Sequence, residues 1–141
     1  SNSAVKVASQ QSIKAYVDAY KTESFIMACS DETTALTTGT KVTFRMPYAF
    51  RLTDARASVT TAPVAEEGIA MTIDINDGGT TIFGTKLTFD SGEKTTTTAA
   101  TPMELSDTDL ANDAEITIDI DSVGAATAGA GLKVTLIGYQ T

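Results

Sequence analysis

The sequence predicts an all-β fold: an antiparallel β-sandwich, jelly-roll-like, of about eight short strands preceded by one short N-terminal α-helix. Three observations predict it. Apolar and polar residues alternate along several runs, a period of two that puts one strand face in a core and the other in water. Clusters of Gly, Asp, Asn, Ser and Thr separate the runs, and these residues make turns. No helical pattern falls between the runs, so no parallel βαβ unit is available. Thr is the commonest residue, and β-branched side chains fit a pleated, half-buried surface.

The first element is the helix. Ile13, Val17 and Tyr20 fall at i, i+4 and i+7, one apolar stripe, and Ser9 is placed to cap it. A helix of about three turns is marginal alone in water. It must therefore lie on its own β-domain or bundle with copies of itself as a short coiled coil. Residues 1–22 thus form a helical oligomerisation or docking segment, and residues 23–141 the sandwich.

Strands follow. Residues 24–29 are an apolar run fit for a buried strand, and 30–34 a polar loop. In 41–46, Val42, Phe44 and Met46 alternate with Lys41, Thr43 and Arg45. Pro47 lacks a ladder donor and ends the strand there. Phe50, Leu52, Ala55, Ala57 and Val59 resume an apolar pattern up to a turn at 61–63. A turn region with two acids spans 63–68. Ile69, Met71, Ile73 and Ile75 are expected to face in, with Thr72 and Asp74 out. Asn76, Asp77, Gly78 and Gly79 form a strong hairpin signal. Residues 80–83 and 85–89 make the return, with Gly84 as a bulge or bend, and 90–93 another turn.

The Thr/Ala run at 94–101 reads as an exposed strand or extended loop, 103–105 as a short strand, and 107–113 as an acidic turn or single helical turn. Residues 115–121 alternate Ile inward with Thr or Asp outward. Residues 125–131 read as a flexible small-residue loop, and 132–139 as the closing strand. A jelly roll is the preferred order. An immunoglobulin-like order comes second, because its Cys…Trp…Cys hallmark is missing: there is one Cys and no Trp.

At 141 residues the chain is long enough to bury a core without staples. A net charge of −8 argues against a nucleic-acid partner. No apolar run approaches the ~20 residues of a membrane span, so no membrane insertion is expected. Cys29 lies in an apolar run and reads as a buried small hydrophobe rather than a bridging thiol.

Little catalytic chemistry is available. The chain has no His, which removes Ser–His and Cys–His nucleophiles in their usual form and His-based metal sites. Asp74, Asp119 and Asp121 could converge as paired carboxylates, but outward acids at strand spacing read first as solvation. The run from Asp74 to Gly79 fails the calcium-loop pattern, because its fifth position is Gly78 and its twelfth Thr85. Asp107, Asp109 and Asp113 read as a solvated loop. Arg45, Arg51 and Arg56 could read a carboxylate-bearing or phosphorylated sugar; pairing with the surplus acids is favoured. Tyr48 and Tyr139 are the stacking candidates outside the helix. No enzyme, catalytic residue, metal or cofactor is expected. Ligand binding is expected of loops at a sandwich end, such as 107–113 and 125–131, with no single residue picked out.

Four blocks carry a resemblance: DETTALTTGTKVTFRMPYAF, LTDARASVTTAP, IDINDGGTTIFGTKLTFDSGEKT and DAEITIDIDSVGAATAGAGLKVTLIGYQT. Together they resemble a β-sandwich module of tailed-phage virion proteins, chiefly distal tail-fibre domains, also seen in prophage-derived reading frames. SQQSIKAYVDA is similar to the segment just before such modules in fibres, which are usually trimers. The resemblance implies a virion protein assembled in the host cytoplasm, a homotrimer joined through Ile13, Val17 and Tyr20. Its implied partners are other virion proteins and a host cell-surface glycan. The alternative is a capsid, neck or baseplate decoration or joining module without a receptor.

Overall fold

In the computed structural model of the chain, residues 10–13, 15 and 21–141 are described. Residues 10–13 and 15 are helical, and Ile13 on that turn is 64% exposed. Val17, Tyr20 and the Ser9 cap lie outside the described residues.

Eleven strands follow among the described residues: β1 (Glu23–Ala28), β2 (Gly39–Arg45), β3 (Phe50–Ser58), β4 (Ile69–Asp77), β5 (Thr80–Thr81), β6 (Phe83–Thr85), β7 (Leu87–Asp90), β8 (Glu104–Leu105), β9 (Asp109–Leu110), β10 (Glu115–Ser122) and β11 (Lys133–Gln140). A 3-10 turn, η1, spans Thr96–Thr98. One sheet has the order β1-β11-β3-β9; the other runs β2-β10-β4-β5, with β7 also pairing β4. All these pairings are antiparallel. β1 with β11, β2 with β10, β3 with β9 and β4 with β7 make one long antiparallel ribbon wound into two facing sheets. This is the jelly roll.

The inward faces supply one core. Phe50, Leu52, Ala55, Ala57, Val59, Met71, Ile73, Ile75, Ile116, Ile118, Ile120, Val134 and Leu136 are all buried, as their spacing predicts. In β3 the buried positions step from Leu52 to Ala55. A register shift against Ile137 and Gly138 inserts one extra residue and flips the parity there. The hairpin at Gly78 and Gly79 forms as expected, with φ of 56° and 87° and Asp77 paired to Thr80.

The structure corrects several expectations. Ile69 is 50% exposed, because a register shift between Ile69 and Met71 takes Ala70 inward in its place. Asp74 faces outward yet is 6% exposed, covered by neighbouring side chains. Residues 83–85 do not continue the return against β4: β6 leaves the sheet to pair β8. Residues 94–101 hold η1 rather than a strand. The 107–113 segment is no helical turn; it carries β9, whose pairing satisfies β3 at Phe50 and Arg51. The 125–131 loop is tied down by backbone bonds, described below. Cys29 is 6% exposed, and burial raises its thiol pKa to about 11, so it is a packed apolar group.

No described helix is long and apolar enough to cross a membrane.

Candidate functional site

Strand direction gives the sandwich two unlike ends. At the first end β1 begins, Thr141 N–H donates to Ala49 O at 3.1 Å, and the loops around 46–49, 78–79 and 111–114 meet. Tyr48 donates to Glu23 there. The rings of Phe25, Tyr48 and Phe50 pack with centroids 5.1–6.4 Å apart, so the chain's entry into β1 is fixed to the β2–β3 corner.

At the opposite end four connections knit together: 29–38, 59–68, 91–94 and 123–132. Leu36 N–H donates to Gly129 O at 2.9 Å, Thr60 N–H to Ala130 O at 2.9 Å, Val64 N–H to Thr127 O at 2.8 Å and Gly92 N–H to Pro63 O at 2.9 Å. Lys133 and Thr60 both donate to Glu32, and the Lys133 bond is the larger cause of the lowered Glu32 pKa. Asp31 Oδ1 accepts from Thr33 and Thr34 N–H at 2.9 and 2.6 Å, and its pKa is lowered first by the Thr34 hydroxyl. Loops bonded in this way hold a fixed surface rather than a floppy one. The two loops proposed from the sequence therefore part company: 125–131 lies at this far end, and 107–113 at the entry end.

The other predicted groupings are also placed. Arg45 on β2 lies 3.2 Å from Glu115 and 4.0 Å from Asp113. Arg51 Nε on β3 sits 2.6 Å from Asp109, a close ion contact off the line of a hydrogen bond. Arg56 Nε bonds Asp54 at 2.8 Å. The three cations are dispersed over two sheets and each meets an acid, which is the favoured sequence reading. Asp74, Asp119 and Asp121 are brought together, since Asp119 on β10 stands directly opposite Asp74 on β4. Lys86 reaches Asp74 at 3.0 Å and Asp121 at 2.6 Å, Thr81 donates to Asp74, and Asn76 donates to Asp119 at 2.7 Å. The chain's own donors thus reach all three carboxylates, although Asp119 Oδ1 is buried without a hydrogen-bond partner among the described residues. Lys86 offsets like charges that would otherwise repel across the ladder.

No family model matches this sequence, and no curated protein matches it. One solved structure is similar. It is the structure of infectious bursal disease virus Gx strain, at 12% identity and a TM-score of 0.40, covering 85% of this chain. This chain spans 36% of that one. At that distance the likeness carries no functional argument.

Two features were not legible in the sequence. One is the edge shared by β1 and β2, where Phe25, Met27, Val42, Phe44 and Tyr48 pack on the core but remain partly exposed, beside Ile26 at 70% exposure. The other is a cleft of about 270 Å³ on the opposite flank, between β3 and the segment carrying η1, lined by Asp54, Ala55, Arg56, Leu87, Thr97 and Met103 among others. The first is the outer edge of two different sheets and the second joins residues 54–56 to 87 and 96–103, so only the jelly-roll pairing reveals them.

Proposed function

We propose that this chain is a structural, non-enzymatic virion component of a tailed phage or prophage: the distal domain of a trimeric tail fibre that adheres to the host surface. The observation that carries the reading is the polarity of the sandwich, taken with the sequence blocks that resemble fibre-tip modules. The segment holding Ile13, Val17 and Tyr20 feeds into β1 at one end, and the bonded loop cluster lies at the other. A shaft joined at the first end would present the second to a cell. The half-covered apolar edge of β1 and β2 suits contact between protomers, because exposed strand edges and apolar seams invite pairing. Weak sites on three copies would then add through effective concentration.

The test uses the intact chain, fluorescently labelled, against a panel of bacterial cells. The reading expects saturable adsorption to at least one strain. It also expects loss of adsorption when Thr33 and Thr127 at the far end are both replaced by Arg, and retention when Asp107 and Asn112 at the entry end are. Adsorption to no strain, or loss only with the entry-end pair, would overturn it in favour of a capsid, neck or baseplate joining module.

A further inference from the structure

We propose that the cleft between β3 and the η1–β8 segment binds one neutral hexose ring. The proposal goes beyond the adhesion reading, because this flank lies apart from the loop cluster; it borrows from that reading only the natural source of the sugar.

The cleft exists because β9 is short. It pairs β3 at Phe50 and Arg51, with Leu52 N–H donating to Thr108 O at 2.7 Å just before it. The crossing segment rejoins β3 where Ala57 N–H donates to Thr96 Oγ1 at 3.0 Å and Ser58 pairs with Thr95. Between those points the edge of β3 is open. The N–H of Ala55 there is taken by Asp54 Oδ1 at 2.9 Å, so an extended peptide would find no free donor at that residue and strand addition is disfavoured. What remains is a small hollow of about 270 Å³, just under the roughly 300–1,000 Å³ of pockets for drug-sized ligands. That suits a single ring.

Its lining has two characters. Ala55 and Leu87 are buried at its base, and Ala99, Pro102 and Met103 add apolar surface, onto which the C–H face of a pyranose can pack. Met is well suited to such irregular contacts. Asp54, Arg56 and Thr97 supply the polar side. Arg56 spends Nε on Asp54 Oδ2 and its two terminal nitrogens bond no other described residue, while each Asp54 oxygen keeps a further acceptor site. A carboxylate accepts from one ring hydroxyl while the guanidinium beside it donates to the next, a pairing that vicinal ring hydroxyls can meet. The ion pair is neutral as a unit and the chain carries −8, so an uncharged sugar is favoured over a uronate. With no aromatic ring in the lining, affinity should be in the millimolar range.

The chain has four methionines, so methyl-labelled Met gives a direct probe. The intact chain would be titrated with glucose, galactose, mannose and N-acetylglucosamine and followed by NMR. We expect the Met103 methyl to move saturably with at least one sugar, while buried Met46 and Met71 stay fixed. Asp54→Asn should weaken the response at least tenfold, and Thr97→Tyr, from an exposed position, should block it even if the first variant fails to fold. No saturable shift at Met103 with any sugar, or an undiminished shift in Thr97→Tyr, would overturn the proposal. The assay involves no cells, so its failure would leave the adhesion reading standing.

Discussion

Replacing Lys86 by Ala should destabilise the sandwich far more than removal of a typical surface lysine. The side chain of Asp74 is 9% exposed, against 37% for Lys86 and 39% for Asp121. An exposed ion pair is worth about 0.2–1 kcal/mol, whereas stripping one partner from a fully buried pair costs about 3–5 kcal/mol. Lys86 stands between these limits, since one of its two acceptors is buried and it is not. A loss of about 1.5–3 kcal/mol follows. With a urea slope of about 2 kcal/mol/M, that moves the unfolding midpoint by roughly 1 M. The Lys86 pKa is raised, first by the Asp121 bond and then by Asp74. Its contribution is therefore full at all pH values below the ordinary lysine pKa and is lost only as pH climbs through the raised folded value. A double-mutant cycle with Asp74→Asn, by urea unfolding at pH 7, isolates the buried half. Lys86→Ala should cost less than half as much in the Asp74→Asn background, because the stranded charge is gone. A single-mutant loss under about 0.5 kcal/mol, the level of an ordinary surface change, or an unchanged cost in the double mutant, would refute the argument.

Other outcomes follow from the same structure. Gly138→Ala places a Cβ over the Arg51 carbonyl and 2.8 Å from Phe50 Cε1, at the register shift in β11. Thermal unfolding should show a loss above about 3 kcal/mol or no folded protein, while Gly84→Ala, with nothing nearer than 3.9 Å, stays close to the parent. Cys29, buried with its pKa raised to about 11, should react slowly with a thiol reagent at pH 8 when folded and promptly in urea; equal rates would contradict its burial. The lowered pKa values of Asp31 and Glu32 mean stability that is present above the ordinary carboxylate range and lost as pH falls through the depressed folded values. Glu32→Gln should accordingly flatten the acid limb of a stability-versus-pH profile.

The strands were legible where one face is core and the other water: β2, β10 and β11 announce themselves by alternation, and Gly78 with Gly79 by their turn chemistry. The winding was not, because β1 finds β11 and β2 finds β10 across most of the chain, and periodicity says nothing of partners. Ile69 and Asp74 were misjudged for a local reason. A one-residue slip beside Ala70 reverses which side chains face inward, and a lysine ten or more residues on covers an outward acid. Asp74, Asp119 and Asp121 do come together, yet the Lys86 that bridges Asp74 and Asp121 sits on the stretch between β6 and β7 whose path the pattern did not foretell. The flank cleft had no signal at all, since it is the gap left where short β9 stops covering β3.

Self-association through the N-terminal segment is the claim on which the functional account turns, and molar mass in solution tests it most directly. Light scattering on the full chain should give a trimer, and on residues 23–141 alone a folded monomer. A full chain that is monomeric would contradict the account and leave a module that docks, as a single copy, onto another virion protein.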